Sequence, residues 1–290
     1  MSKYVIYSAL VGAYDTIFQP EVVDDRFDFV LFTNEVKEDH VGVWKIRPIV
    51  YQNADSTRVA RYVKMHPEDL LPEYEVSVWI DMNIRIKTDY LYERAVLLKE
   101  KGVMVSSMCH PANDCIYNEA FSVMHMRMER ESVVLKWCHK LFRERYPVHN
   151  GLCETNVLFR QHNETVRSVD QLWWLCVEGN SRRDQLSFNY VLWKKGVPCH
   201  FLMGDGMCAR NSEHFEVVAH KDRLHNYCKL EKTEGWLMRY CWKVPQKKEM
   251  VQKMYYQIYA TSMPKLWAFF WGQLFRMKYL MKNGVSSFMG

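Results

Sequence analysis

The sequence predicts an α/β fold with a mostly parallel central sheet and helices on both faces, and three observations predict it. β-rich runs alternate with helical stretches as far as about residue 195. One run, Val76 to Ile80 (VSVWI), is almost wholly apolar, as a central strand buried on both faces has to be. The hydrophobic fraction, 48% of 290 residues, is ample for a sizeable core.

Taken in order, Tyr4 to Leu10 is β-rich and stops at Gly12, Phe27 to Thr33 is a second β run, and Trp44 to Ile49 a third. Ser56 to Met65 carries Val59, Tyr62 and Val63 at helical spacing, with Arg58, Arg61 and Lys64 on the other side, and Pro67 and Pro72 end that helix. After VSVWI come a helix from Asp89 to Lys101, a strand at Gly102 to Met108, a helix over Ile116 to Tyr146, a strand at Asn156 to Arg160 and a helix from Asp184 to Lys195. No internal repeat or low-complexity linker interrupts the series.

Charged residues are 25% of the chain and aromatic residues 14%, with ten Trp and seventeen Tyr, so disorder is excluded and the aromatics serve a packed core or stacking platforms. The net charge of +5 is local: Asp and Glu are frequent in the first third, Lys and Arg after about residue 235. No dense basic stripe or reading motif argues for nucleic acid. Nine Cys without a C-x-x-C pair, Cys109, Cys115, Cys138, Cys153, Cys176, Cys199 and Cys208 among them, read as reduced core thiols, which implies a cytoplasmic setting. The opening MSKYVIYSALVG reads as a first strand rather than a signal peptide, and no run reaches the roughly 18 apolar residues of a membrane span.

The segment with the sharpest chemistry is WIDMNIRI, Trp79 to Ile86. Ligands of open α/β sheets gather outside the carboxyl ends of the strands, and Asp81 stands where the buried strand emerges. Asn83, two residues on, adds a second hard oxygen, and the two suit Mg²⁺ or Mn²⁺ bridging a diphosphate. The bland alternative is that Asp81 caps the next turn.

The block around it, RVARYVKMHPEDLLPEYEVSVWIDMNI from Arg58 to Ile84, resembles the part of GT-A glycosyltransferases in which a basic helix, a Leu-Pro pair and a strand lead into a D-x-D motif. More closely it resembles a glycosyltransferase-like family of plant pectin and mucilage proteins and bacterial surface-polysaccharide loci, formerly a domain of unknown function. SALVGAYDT, DFVLFTN, WKIRPI, HPANDCIYNEA, GLCETNVLFRQHN and RDQLSFNYVLWKKG follow in the matching order, and the likeness covers about residues 4 to 225.

That resemblance implies a GT-A domain over residues 1–230 and a helical, basic and aromatic extension over 231–290. It implies a donor site bordered by Ala9, Val11, Tyr14 and Asp15, with Tyr14 stacking on the base and Arg58, Arg61 and Lys64 toward phosphates or sugar. Asp81, Met82 and Asn83 take the D-x-D place, with a neutral Asn that leaves one negative charge fewer for metal. Asp184 and Gln185 resemble the D-Q element of family 8 glycosyltransferases beside the reacting sugar, and Glu154 and Asn156 the positions that touch donor and acceptor hydroxyls. His220 matches a histidine supplied to metal and diphosphate, with His214 and His225 as alternatives.

The reaction so implied moves a sugar from a nucleoside diphosphate sugar, foremost a uridine diphosphate sugar, to a glycan or lipid-linked glycan acceptor in surface polysaccharide synthesis, with Mn²⁺ or Mg²⁺ as cofactor. Retention follows the family 8 likeness. An inverting course would need Asp184 or Glu154 as base. The alternative is a non-catalytic GT-A-shaped module that binds glycan or partners, and Asn83 is its support. Finally, Pro264 to Lys282 has the composition of a basic amphipathic helix on an anionic membrane at the cytoplasmic face, or of one packed on protein.

Overall fold

The computed structural model describes residues 3–12, 15–204, 206–221 and 248–252. Tyr14, His225 and the segment 264–282 lie outside them. The chain forms two compact units, one of Met1–Ala112 with Leu152–Arg223, the other containing Asn113–Gly151.

The first unit is built on an eight-stranded sheet in the order β3-β4-β2-β1-β5-β8-β7-β9. Its strands are β1 (Tyr4–Leu10), β2 (Phe27–Thr33), β3 (His40–Val41), β4 (Trp44–Arg47), β5 (Val76–Ile80), β7 (Val105–Cys109), β8 (Cys153–Gln161) and β9 (His200–Phe201). Parallel pairing joins β1 to β2 and β5, β2 to β4, and β7 to β9. β8 runs antiparallel between β5 and β7, and β3 antiparallel on β4. The predicted sheet is thus present, with β8 reversed in its middle. A separate ribbon pairs β6 (Ile84–Ile86) with β10 (Phe215–Val217) antiparallel.

β5 is buried at every residue, as its composition demands, and packs Val76, Val78 and Ile80 with Ile6, Leu31, Val157 and Phe159 in the main core. Each such side chain stabilises the fold by roughly 1.5–3 kcal/mol. α3 (Tyr90–Glu100) adds Leu91, Tyr92, Ala95 and Leu98 to that core.

α1 (Ser56–Met65) starts at Asp55, whose carboxylate accepts the Thr57 N–H at 3.0 Å, and buries Val59 and Val63 as the spacing requires. Lys64 departs from the expected polar side, because its side chain is only 1% exposed. Pro67 does end the helix, by opening the one-turn helix α2 (Pro67–Leu70). α6 (Glu164–Gly179), absent from the sequence reading, is capped by Asn163 and buries Val166, Val169, Asp170, Trp173, Trp174 and Val177. Those positions form a helical stripe in which Asp170 interrupts the apolar pattern. α7 (Gln185–Lys195) lies where it was predicted and closes at Gly196 with φ 65°.

In the second unit the single helix expected over 116–146 is two helices, α4 (Ile116–His125) and α5 (Glu131–Arg143). The chain turns left-handed at Arg127 (φ 58°), with Met128 N–H bonded to Val123 C=O and Arg127 N–H to Met124 C=O. That pair of bonds is a Schellman closure, which ends a helix without needing a proline.

Candidate active site

The carboxyl ends of β1, β5 and β7 and the first residues of β8 meet at one edge of the sheet. Asp81 continues β5 there, its N–H bonded to Asn156 C=O at 2.8 Å. Its side chain is 28% exposed, and Oδ1 accepts the Trp79 indole N–H at 2.7 Å. The bond fixes the carboxylate by one oxygen.

Beneath it lies a buried charge cluster. Lys64 Nζ donates to Asp184 Oδ2 at 2.6 Å and to Thr155 Oγ1 at 3.0 Å, and stands 4.0 Å from Asp81 Oδ1. The Thr155 hydroxyl donates to Asp184 Oδ2 at 3.0 Å, and Arg61 Nε lies 3.2 Å from Asp184 Oδ1. Trp79 and Trp173 present their rings to the ammonium at 5.5 and 5.7 Å. Burial alone would raise the Asp184 carboxyl, but Arg61 and Lys64 overcome it and hold the group well below the usual carboxylate range. Asp184 therefore stays ionised, with Oδ2 taken by Lys64 and Thr155 and Oδ1 facing Arg61. Its position before α7 is no ordinary cap, since its oxygens face Lys64 and Thr155 rather than free helix N–H groups.

β8 contributes through an irregularity. Pairing with β7 jumps between Ser107 and Met108, and Ser107 Oγ bridges the step by donating to the carbonyls of Glu154 and Val157 at 3.0 and 3.1 Å. Glu154 Oε1 pairs with Arg210, while its buried Oε2 has no hydrogen-bond partner among the described residues. Asn156, 7% exposed, has neither amide atom bonded among the described residues. Unpartnered buried polar atoms beside Asp81 suit a ligand that supplies hydroxyls. Arg210, 53% exposed, reaches Glu154 from outside the sheet, and its charge also feels Asp81. Burial and Arg210 push His110 down to about 4, so it is neutral at this edge.

The predicted residues separate accordingly. Asp81, Lys64, Arg61, Asp184, Glu154 and Asn156 come together. Gln185 opens α7 half-buried. Asn189 joins α7 to the start of β8, its Oδ1 accepting the Cys153 N–H at 2.9 Å. Ala9 and Val11 are half-buried at the end of β1, and Asp15 Oδ1 meets His220 Nδ1 at 2.7 Å. Arg58 is turned elsewhere: it donates to the carbonyls of Val177 and Asn180 and so closes the end of α6 instead of facing phosphates. Met82 packs into the core. Of the two described candidates, His214 is stacked on Tyr90 at 4.2 Å and bonded to Thr88, while His220 meets Asp15 after β1. Thr155 and Arg210 escaped the sequence reading: Thr155 stands in GLCETNVLFRQHN, but only the fold turns its hydroxyl to Lys64 and Asp184, and Arg210 stands in no motif.

As a cation site, Asp81, Asn83 and His220 are a poor fit on their own. Asp81 offers a single carboxylate, Asn83 directs its NH₂ to Val218 C=O at 2.9 Å, and His220 Nδ1 faces Asp15. Among the described residues no three His, Cys, Asp or Glu side chains converge as metal ligands.

Fold and site together define an α/β protein with a charged, polar cluster at the carboxyl edge of its sheet. Residues 1–220 match the TOD1/MUCI70, glycosyltransferase-like domain, and the chain belongs to that family. Curated protein sequences give no match. Among solved structures, similarity reaches the WbbM bifunctional glycosyltransferase in its apo form, at 13% identity and a TM-score of 0.40, over 69% of this chain and 38% of that one. It also reaches mouse xyloside xylosyltransferase 1, apo form, at 8% identity and a TM-score of 0.39, over 69% of this chain and 84% of that one.

Proposed function

We propose that this glycosyltransferase-like domain is an active sugar transferase that takes a nucleoside diphosphate sugar, foremost a uridine diphosphate sugar, and passes the sugar to a hydroxyl of a glycan or lipid-linked glycan acceptor. The observation that carries this reading is the half-exposed Asp81 at the end of β5, set above the buried Lys64–Asp184–Arg61 cluster.

The chemical difficulty is the departure of a diphosphate while positive charge grows on the anomeric carbon. Arg210 is the exposed cation able to meet the leaving phosphates, and Lys64 keeps Asp81 and Asp184 from repelling them. Asn156 and Glu154 Oε2, buried and unpartnered among the described residues, would bond sugar hydroxyls once donor or acceptor binding opens the edge to them. Retention follows the family 8 likeness, and with both Asp184 oxygens engaged by Lys64, Thr155 and Arg61 that carboxylate serves to steady the developing cation rather than as a base. Glu154 would be the base of an inverting course. No step is routed through a divalent cation, for which the protein's own donor set is poor. Surface polysaccharide synthesis at the cytoplasmic face of a membrane belongs to the same proposal. Among the described residues no helix is long and apolar enough to cross a membrane.

The non-catalytic reading keeps one specific support, the neutral Asn83 in the D-x-D place. Calorimetry and thermal shift with uridine and guanosine diphosphates, with and without Mn²⁺, test the binding step. A ligand at a hundred times its Kd stabilises by about 2.7 kcal/mol, and Asp81→Ala should remove that gain. Stabilisation by neither nucleotide sinks the donor site; binding without sugar release leaves only the glycan-binding module.

A further inference from the structure

Asn83 is held in a way that a cation ligand does not require. Val218 N–H donates to Asn83 C=O at 2.8 Å, and Asn83 Nδ2 donates back to Val218 C=O at 2.9 Å. The amide thus prolongs the β6–β10 ribbon past its last pair, Val217 with Ile84. That ribbon needs the help, because two strands of three residues are marginal by themselves. Its other end is tied by Lys87 N–H to His214 C=O at 3.0 Å and by the His214–Tyr90 stack, and its middle pair by Arg85 to Glu216 at 3.0 Å. Two residues beyond Val218, His220 meets Asp15 after β1.

We propose that Asn83 is a positioning residue: its amide latches the run from Phe215 to His220 onto β6, so that His220 is presented to Asp15 after β1. The chemistry explains why the residue is neutral. The Val218 carbonyl needs a side chain with a proton to give, an N–H or an O–H, and a carboxylate in the same place would set two acceptors against each other. Asn83 is 8% exposed, so water does not readily replace the lost bond. The effect of the latch on donor binding rests on the function proposed above; the latch itself does not.

Hydrogen exchange of the ligand-free protein tests it, comparing Asn83→Asp, Asn83→Ala and Asn83→Ser with the native chain. Protection across 215–220 should fall by about tenfold in the Asp and Ala variants, with β1 and β5 unchanged, and be partly rescued by the Ser hydroxyl, which can still donate. In kinetics, Asn83→Ala should raise KM for the donor more than it lowers kcat. Mn²⁺ titration followed by paramagnetic resonance should show no tighter binding to Asn83→Asp. The latch is overturned if Asn83→Asp binds Mn²⁺ more tightly with 215–220 still protected, or if β1 and β5 lose protection in step with 215–220. Should the native chain bind no donor while the exchange pattern holds, the sugar-transfer reading fails and the latch stands.

Discussion

Two buried ion pairs meet at Lys64, one through its ammonium and one through its carbonyl. In the first, Lys64 and Arg61 face Asp184, with Thr155 as a third partner. In the second, Arg160 donates to Asp170 Oδ1 at 2.9 Å, to Lys64 C=O at 2.7 Å and to the Tyr7 hydroxyl, which itself donates to Lys64 C=O at 2.8 Å. Both carboxylates are buried, yet their acidities diverge. Burial raises Asp170 to about 6 against the pull of Arg160, and its Oδ2 has no hydrogen-bond partner among the described residues. Asp184, with two cations and a hydroxyl, is driven the other way. The number of donors facing a buried carboxylate, more than burial itself, decides whether it holds its charge.

The largest way to break this comparison is to remove one charge from the first cluster. Asp184→Asn leaves Lys64 and Arg61 without their carboxylate and should cost about 3–5 kcal/mol in urea unfolding, whereas Lys64→Met combined with Asp184→Leu should cost less than either change alone. A smaller loss from Asp184→Asn than from exposed controls would mean the pair is not formed.

Acid titration should then separate the two pairs. Asp170, raised in the folded state, favours the fold while protonated, so its contribution falls as pH rises from about 4 to about 6. Asp184, depressed, contributes stability above the ordinary carboxylate range that is lost as pH falls through it. Glu68, raised to about 7 by burial, extends the same decline up to about pH 7. Unfolding curves of Asp170→Asn between pH 4 and 7 should therefore keep only a shallower slope, and an unchanged slope would sink the assignment.

The exposed groups sharpen the contrast with smaller effects on stability. Arg210→Ala leaves the buried Glu154 carboxylate without its cation and should cost about 1–3 kcal/mol in unfolding, less than Asp184→Asn, while weakening donor binding in calorimetry. An unchanged affinity would remove Arg210 from the leaving-group role. Smallest of all, chelation with EDTA should leave the melting temperature of the ligand-free protein unmoved, and a clear drop would point to a resident cation.

Much of the sheet unit was legible because its signals are local. VSVWI can only be a strand buried on both sides, α1 and α7 carry their period and their stops in adjacent residues, and Asp81 is marked by the abrupt end of an apolar run. α6 escaped through the charge at Asp170, which only Arg160 on β8 makes tolerable. The break at Arg127 carries no glycine or proline to announce it, since backbone hydrogen bonds make the turn.

By itself the sequence determined which segments become strands and helices, and that one acid stands where the chain leaves a buried strand, because hydrophobic period and punctuation act over a few residues. Only the tertiary structure decided that β8 runs backwards beside β5, that Lys64 turns inward to Asp184 across 120 residues, that Arg58 leaves the cluster, and that Arg210 joins it. Those outcomes depend on which charges find partners once water is excluded, and a partner's identity is written nowhere near the residue that needs it.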